Sequence, residues 1–190
     1  DLHLCDRRQR QMCIRDSSFI VDAGKNNSDN VVIYVQVTDR AGNVYTTPPQ
    51  AVKINSTSPT IEIKFGGEKP VNVVKENGTE RGYYKDARTA TVTITDRAST
   101  LDLDAVKFDI KDTAGKDVSD TATISVWGKD DTTGKVSCGV TFSGDANYIW
   151  SISYTNKAGL SALADKDQTK MTYGETPYCF TVDKLSLIHI

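Results

Sequence analysis

Polar and apolar residues alternate with a period of two through most of this chain. The pattern is clearest in Ile61-Glu-Ile-Lys-Phe65, Thr89-Ala-Thr-Val-Thr-Ile-Thr95, Val106-Lys-Phe-Asp-Ile110, Val136-Ser-Cys-Gly-Val-Thr-Phe142, Tyr148-Ile-Trp-Ser-Ile-Ser-Tyr154 and Tyr178-Cys-Phe-Thr-Val182. Thr123-Ile-Ser-Val-Trp127 is a weaker seventh case. Alternation sends every second side chain to one face of a strand. It predicts a shared core of Ile61, Ile63, Phe65, Ala90, Val92, Ile94, Val106, Phe108, Ile110, Val140, Phe142, Trp150, Ile152, Phe180 and Val182, with threonine, serine and lysine facing water. Short strands with one wet face each, separated by glycine-bearing turns such as Thr113-Ala-Gly-Lys116, Asp130-Asp-Thr-Thr-Gly134 and Ser143-Gly-Asp145, predict an all-β, two-sheet antiparallel sandwich. No helical periodicity competes with it.

The chain also repeats itself. Val35-Gln-Val-Thr-Asp-Arg-Ala-Gly-Asn43 returns as Ile152-Ser-Tyr-Thr-Asn-Lys-Ala-Gly-Leu160, an offset of 117, and the following strand returns at an offset of 128, Val52 to Phe180. The difference falls in a longer loop through Asp165-Lys-Asp-Gln-Thr-Lys-Met-Thr-Tyr173. The Ser58-Pro59 joint then divides the chain. Residues 58–184 are expected to form one complete module, and residues 18–57 the C-terminal part of another. Residues 1–17 and 185–190 share no pattern with the rest. They are expected to be a non-native or disordered leader and a non-native tail, because Met12-Cys-Ile-Arg-Asp-Ser17 and Leu185-Ser-Leu-Ile-His-Ile190 read like translated adapter sequence.

Setting the ends aside removes His3 and His189, both histidines of the chain, and Cys5 and Cys13 with them. No Ser-His-Asp or Cys-His nucleophile pair can then be assembled, and imidazole metal ligands are lost. The chain is therefore expected not to be an enzyme, with no catalytic, cofactor or metal residue and no cofactor. A net charge of −2 offers no basic field for nucleic acid. No run approaches the ~18 consecutive apolar residues of a membrane span. Carboxylates at Asp102 and Asp104, Asp130 and Asp131, and Asp165 and Asp167 lack the spacing of a calcium loop and read as solvated turns. In the strand phases Cys138 points inward and Cys179 does not, which argues against a bridge between the sheets. Asn26, Asn55 and Asn77 open acceptor triplets for glycosylation and read as chance in a chain rich in these residues. The loops Lys69 to Tyr84 and Leu163 to Tyr173 are expected to be exposed. Tyr83, Tyr84 and Tyr173 are the side chains to consider as anchors for a ligand that remains unknown, against packing over a sheet end as the plainer role.

The order of these features resembles the bacterial Ig-like repeats of large Gram-positive cell-surface proteins. The resemblance rests on an alternating strand, then Thr38-Asp-Arg-Ala-Gly-Asn43, a second strand, and a Ser-Pro joint leading into Thr60-Ile-Glu-Ile63. Tyr83-Tyr-Lys-Asp-Ala-Arg-Thr-Ala-Thr-Val-Thr-Ile-Thr-Asp-Arg97 is similar to the opening of the same repeat, and together these cover nearly all of residues 30–184. Leu160, Asn156 and Asn55-Ser-Thr-Ser58 depart from the family pattern, which puts a strict turn geometry in doubt. The resemblance implies an Ig-like fold and extracellular display on the bacterial cell surface, with neighbouring repeats as partners. It implies a structural stalk or spacer. The alternatives are an adhesive module for glycan or host protein, or an accessory module of a secreted glycoside hydrolase. It transfers no catalytic residue.

Overall fold

The computed structural model describes residues 19–76, 79–164 and 179–185. The chain divides into two compact units, residues 1–54 and 55–190. Among the described residues there is no α-helix, and no helix is long and apolar enough to cross a membrane. The expected leader lies outside the described residues, as does the tail beyond Leu185.

The first unit holds four strands, β1 (Ser28–Ile33), β2 (Gln36–Thr38), β3 (Val44–Thr46) and β4 (Gln50–Ile54). β1 pairs antiparallel with β4, and β2 with β3. The ladder breaks between them because Pro48 and Pro49 carry no N–H to donate. At the break the Thr47 hydroxyl accepts the Val35 N–H at 2.9 Å, and the Thr47 N–H reaches the Val35 carbonyl at 2.8 Å.

The second unit holds β5 (Thr60–Phe65), β6 (Asn72–Glu76), β7 (Thr79–Tyr84), β8 (Arg88–Thr95), β9 (Lys107–Lys111), β10 (Ala122–Ile124), β11 (Gly128–Lys129), β12 (Val136–Phe142), β13 (Ala146–Ser153), β14 (Leu163–Ala164) and β15 (Cys179–Val182). They form two mainly antiparallel sheets, in the orders β10-β12-β8-β5-β14, with β11 also on β12, and β6-β7-β15-β13-β9. Two pairings are parallel, β14 with β5 and β15 with β7. The inward faces of both sheets contribute to one core, an arrangement consistent with a β-sandwich.

Burial follows the period of two. Val136, Cys138, Val140 and Phe142 point inward from β12, and Ala90, Val92 and Ile94 from β8. Ile61, Ile63, Ile110, Trp150, Phe180 and Val182 also lie in the core as the alternation predicts. Phe65, Val106, Phe108 and Ile152 are only partly buried, because they pack at its margin. Tyr84, Val118, Tyr148 and Tyr154 are buried as well. A tyrosine can enter such a core when its hydroxyl finds partners. Tyr148 does so with the Thr121 hydroxyl at 2.7 Å and the Gly144 carbonyl at 3.1 Å.

Three local results differ from the sequence reading. Lys69 to Tyr84 is not an exposed loop: β6 and β7 pair with one another, and β7 joins β15. The strand expected over Thr123–Trp127 is interrupted. Ile124 pairs with Val140 and Gly128 with Ser137, so one extra residue lies between them and the ladder carries a bulge. Ser125 bridges the bulge with its backbone N–H to the Gly139 carbonyl and its hydroxyl to the Gly139 N–H, both at 2.8 Å, while Val126 is left 93% exposed. Finally, Arg88 occupies an inward position of β8 and is 4% exposed. Its guanidinium carbon lies 3.8 Å from the Phe65 ring centroid, 4.4 Å from Tyr84 and 4.5 Å from Phe180, so aromatic faces surround the cation.

Both tryptophans, Trp127 and Trp150, lie in the second unit, so their fluorescence reports its unfolding. Phe142→Ala removes a fully buried ring and is expected to cost roughly 3–5 kcal/mol in a denaturant titration followed this way. Val126→Ser, at the bulge, is expected to stay within about 0.5 kcal/mol of the parent.

Candidate functional site

The repeated motif builds the same turn wherever it occurs. In Asp39-Arg-Ala-Gly-Asn43 the Asp39 N–H donates to the Asn43 carbonyl at 2.9 Å and the Gly42 N–H to the Asp39 carbonyl at 3.1 Å. Asn156 to Leu160 repeats these bonds at 3.0 and 2.9 Å, and Asp112 to Lys116 at 2.8 and 3.0 Å. In all three the side-chain oxygen of the first residue accepts two backbone N–H groups, from the third and fifth residues. The fourth residue is glycine at φ 88°, 80° and 78°, a left-handed conformation that other residues adopt at a steric cost. The flanking residues pair alike, Thr38 with Val44, Lys111 with Asp117 and Thr155 with Ser161.

Asn156 and Leu160 therefore leave the turn geometry intact, because either an amide or a carboxylate oxygen can accept the two N–H groups. What changes is the remaining polar atom. Asp39 receives the Asn43 amide on Oδ2 at 2.8 Å, and that hydrogen bond holds its carboxyl below the usual value of 3.8. Asn156 instead donates its amide to Asp96 Oδ1 at 3.2 Å.

Asp96 is the hub of a polar cluster in the second unit. Tyr154 donates its hydroxyl to Asp96 Oδ2 at 2.8 Å and accepts the Asp102 N–H at 3.0 Å. Asp96 Oδ1 receives the Arg97 N–H at 2.8 Å and the Thr100 hydroxyl at 3.2 Å. Tyr154, Asn156 and Thr100 are 2%, 4% and 8% exposed. Burial, reinforced by the hydrogen bond to Asp96, pushes the Tyr154 phenol up to about 12. It holds its proton throughout the ordinary pH range, and the cluster fixes loops to the end of the core.

The other candidates are scattered. Tyr84 is 3% exposed and faces Phe180 at 6.0 Å between ring centroids, so it is a core residue and not an exposed anchor. The adjacent Tyr83 points the other way and is partly exposed; Tyr173 lies outside the described residues. Asp102 is at the Tyr154 cluster, while Asp104 is exposed. Asp130 is occupied by Thr132 and Thr133 of its own turn, and the Thr133 hydroxyl bond above all keeps its carboxyl below 3.8. Asp131 sits 3.7 Å from Lys129. Asp165 and Asp167 lie outside the described residues. Among the described residues no three His, Cys, Asp or Glu side chains gather as a metal site requires.

Cys138 and Cys179 are not joined by a disulfide, and burial pushes the Cys138 thiol up to about 11, the character of a packed and inert sulfur. The Asn55 amide is engaged by Thr100 at 2.8 Å and that of Asn26 by the Asp22 carbonyl at 2.8 Å; Asn77 is not described. His3 and His189 lie outside the described residues.

A polar recess of about 410 Å³ opens beside Asp112, Asp117, Asp120 and Asp145. Three of its carboxylates accept backbone N–H groups: Asp112 within its own turn, Asp117 from Ser119 at 2.8 Å and Asp145 from Lys184 at 2.7 Å. In the first unit Val35, Val37 and Tyr45 form an exposed apolar face at 42%, 57% and 65%. Their repeat equivalents, Ile152, Tyr154 and Ala162, lie in or against the core of the second unit, so this face has the chemistry of a sandwich interior. No protein-family model matches the chain, and neither a curated protein nor a solved structure matches it.

Asn156→Asp would set a second carboxylate about 3 Å from Asp96, and two such charges do not both ionise readily. The variant is expected to lose about 2 kcal/mol at pH 7. Because the carboxyl shared by this pair would titrate above its unfolded value, the deficit is full above that raised value and narrows as pH falls towards 4. Denaturant titrations of both proteins at pH 7 and pH 4.5 measure it.

Proposed function

We propose that this chain carries non-catalytic Ig-like repeats of a bacterial surface protein, displayed outside the cell as a structural stalk or spacer. One observation carries the reading: the two units share a strand register. Val31 pairs with Val52 in the first unit and Tyr148 with Phe180 in the second, at the same offsets of 117 and 128 that relate the sequences. Strand pair, turn and offset are thus copied together, which is how tandem modules arise.

The sheet orders support the Ig-like assignment. β5-β8-β12-β10 corresponds to the A-B-E-D sheet of that architecture and β9-β13-β15 to C-F-G, with β7 and β6 extending the second sheet. The ends of the second unit suit a spacer. Its first strand starts at Thr60, opposite Thr95 and Leu163, near the Asn156 turn. Its last strand finishes at Val182 beside Ala146, at the far end of β13. The eight residues of β13 span ~26 Å at about 3.3 Å each, so the chain enters at one end of the unit and leaves at the other. Such a unit adds length with every copy.

Single-molecule pulling on the whole chain tests this reading. A load-bearing sandwich is expected to yield in one force peak, with a contour-length gain on the order of 40 nm for Asn55–Val182. Gradual extension without a peak would sink the spacer reading.

A further inference from the structure

We infer that residues 55–59 are a clamped lead-in to the second unit, with Asn55 as the pin that fixes the direction in which the chain enters it. Asn-Ser-Thr-Ser-Pro has the composition of a flexible polar tether. The contacts it makes are those of a docked segment. Asn55 donates its amide N–H to the Thr100 hydroxyl at 2.8 Å, and its carbonyl oxygen accepts the Thr57 N–H at 3.0 Å, which closes the segment into an Asx turn. Pro59 is fully buried, and Thr60 is already in register with Thr95.

The seat is firm because Thr100 is itself held. Its hydroxyl has one proton, which goes to Asp96 Oδ1 or the Arg97 carbonyl, each at 3.2 Å, leaving the oxygen lone pairs for Asn55. Asp96 is anchored by Tyr154 and Asn156, so the pin is linked through three side chains to the core. The Asn55 side chain thus holds the start of the lead-in to the second unit, and the buried Pro59 and the Thr60 register hold its end. The inference holds for a stalk and for an adhesive module alike, so it does not rest on the reading above.

Backbone ¹⁵N relaxation on the whole chain tests the clamp. In the parent protein Ser56, Thr57 and Ser58 are expected to show order parameters near those of β5, about 0.85, falling below about 0.6 in Asn55→Ala. Tryptophan fluorescence should report an unchanged unfolding midpoint for the second unit, which separates loss of the pin from loss of the fold. Thr100→Val removes the other partner and should loosen the same three residues; if it unfolds the unit, Asn55→Ala alone decides. Parent residues already below about 0.6, or an Asn55→Ala variant as rigid as the parent, would overturn the inference.

Discussion

The ring of Phe142 is where the two sheets of the second unit meet. It projects from β12 and packs 5.0 Å from Phe180, 5.0 Å from Tyr148 and 5.1 Å from Trp150, three aromatic side chains of the opposing sheet. No disulfide joins Cys138 to Cys179, so burial of apolar surface is the main force between the sheets. Every inward residue must then keep its phase, because a slip of one position would turn an entire strand's apolar side chains to water. The bulge at Ser125 and Val126 shows that constraint at work. The extra residue is thrown outward, and pairing with β12 resumes at Gly128.

Around this core the loops are tied down by repeated local chemistry. A short polar side chain folds back on its own turn, and a glycine reverses the chain, at Asp39, Asp112 and Asn156. Only the turn at Asn156 is also tied to Asp96, and there the amide is what allows it to approach a carboxylate. The exchange of aspartate for asparagine between the two copies is thus matched to the neighbouring charge. The same polar cluster reaches Asn55, so the end of the core, the closing turn and the lead-in segment form one connected set of hydrogen bonds.

Much of this architecture is legible in the sequence where a single strand carries its own signal. β8, β12 and β13 each bury one face, and their alternation exposes them at once. β6 and β7 escape because Val73 and Val74 are adjacent, as are Tyr83 and Tyr84, so no period of two appears; their place depends on distant β15. Adjacent tyrosines on a strand must face opposite ways, which is why Tyr84 enters the core while Tyr83 does not. Asp112-Thr-Ala-Gly belongs with the repeated turns and could have been grouped with them from its spacing. The Asp96 cluster could not, since it assembles from loops brought together only when the sheets pack.

Both units carry the same strand pair and turn, whereas the packed aromatic core lies in the second. Native-state hydrogen exchange across the whole chain measures it most directly. Amides of β8, β12 and β13 are expected to exchange only on global unfolding of the second unit, and those of β1 to β4 faster by orders of magnitude. Equal protection in the two units would contradict it.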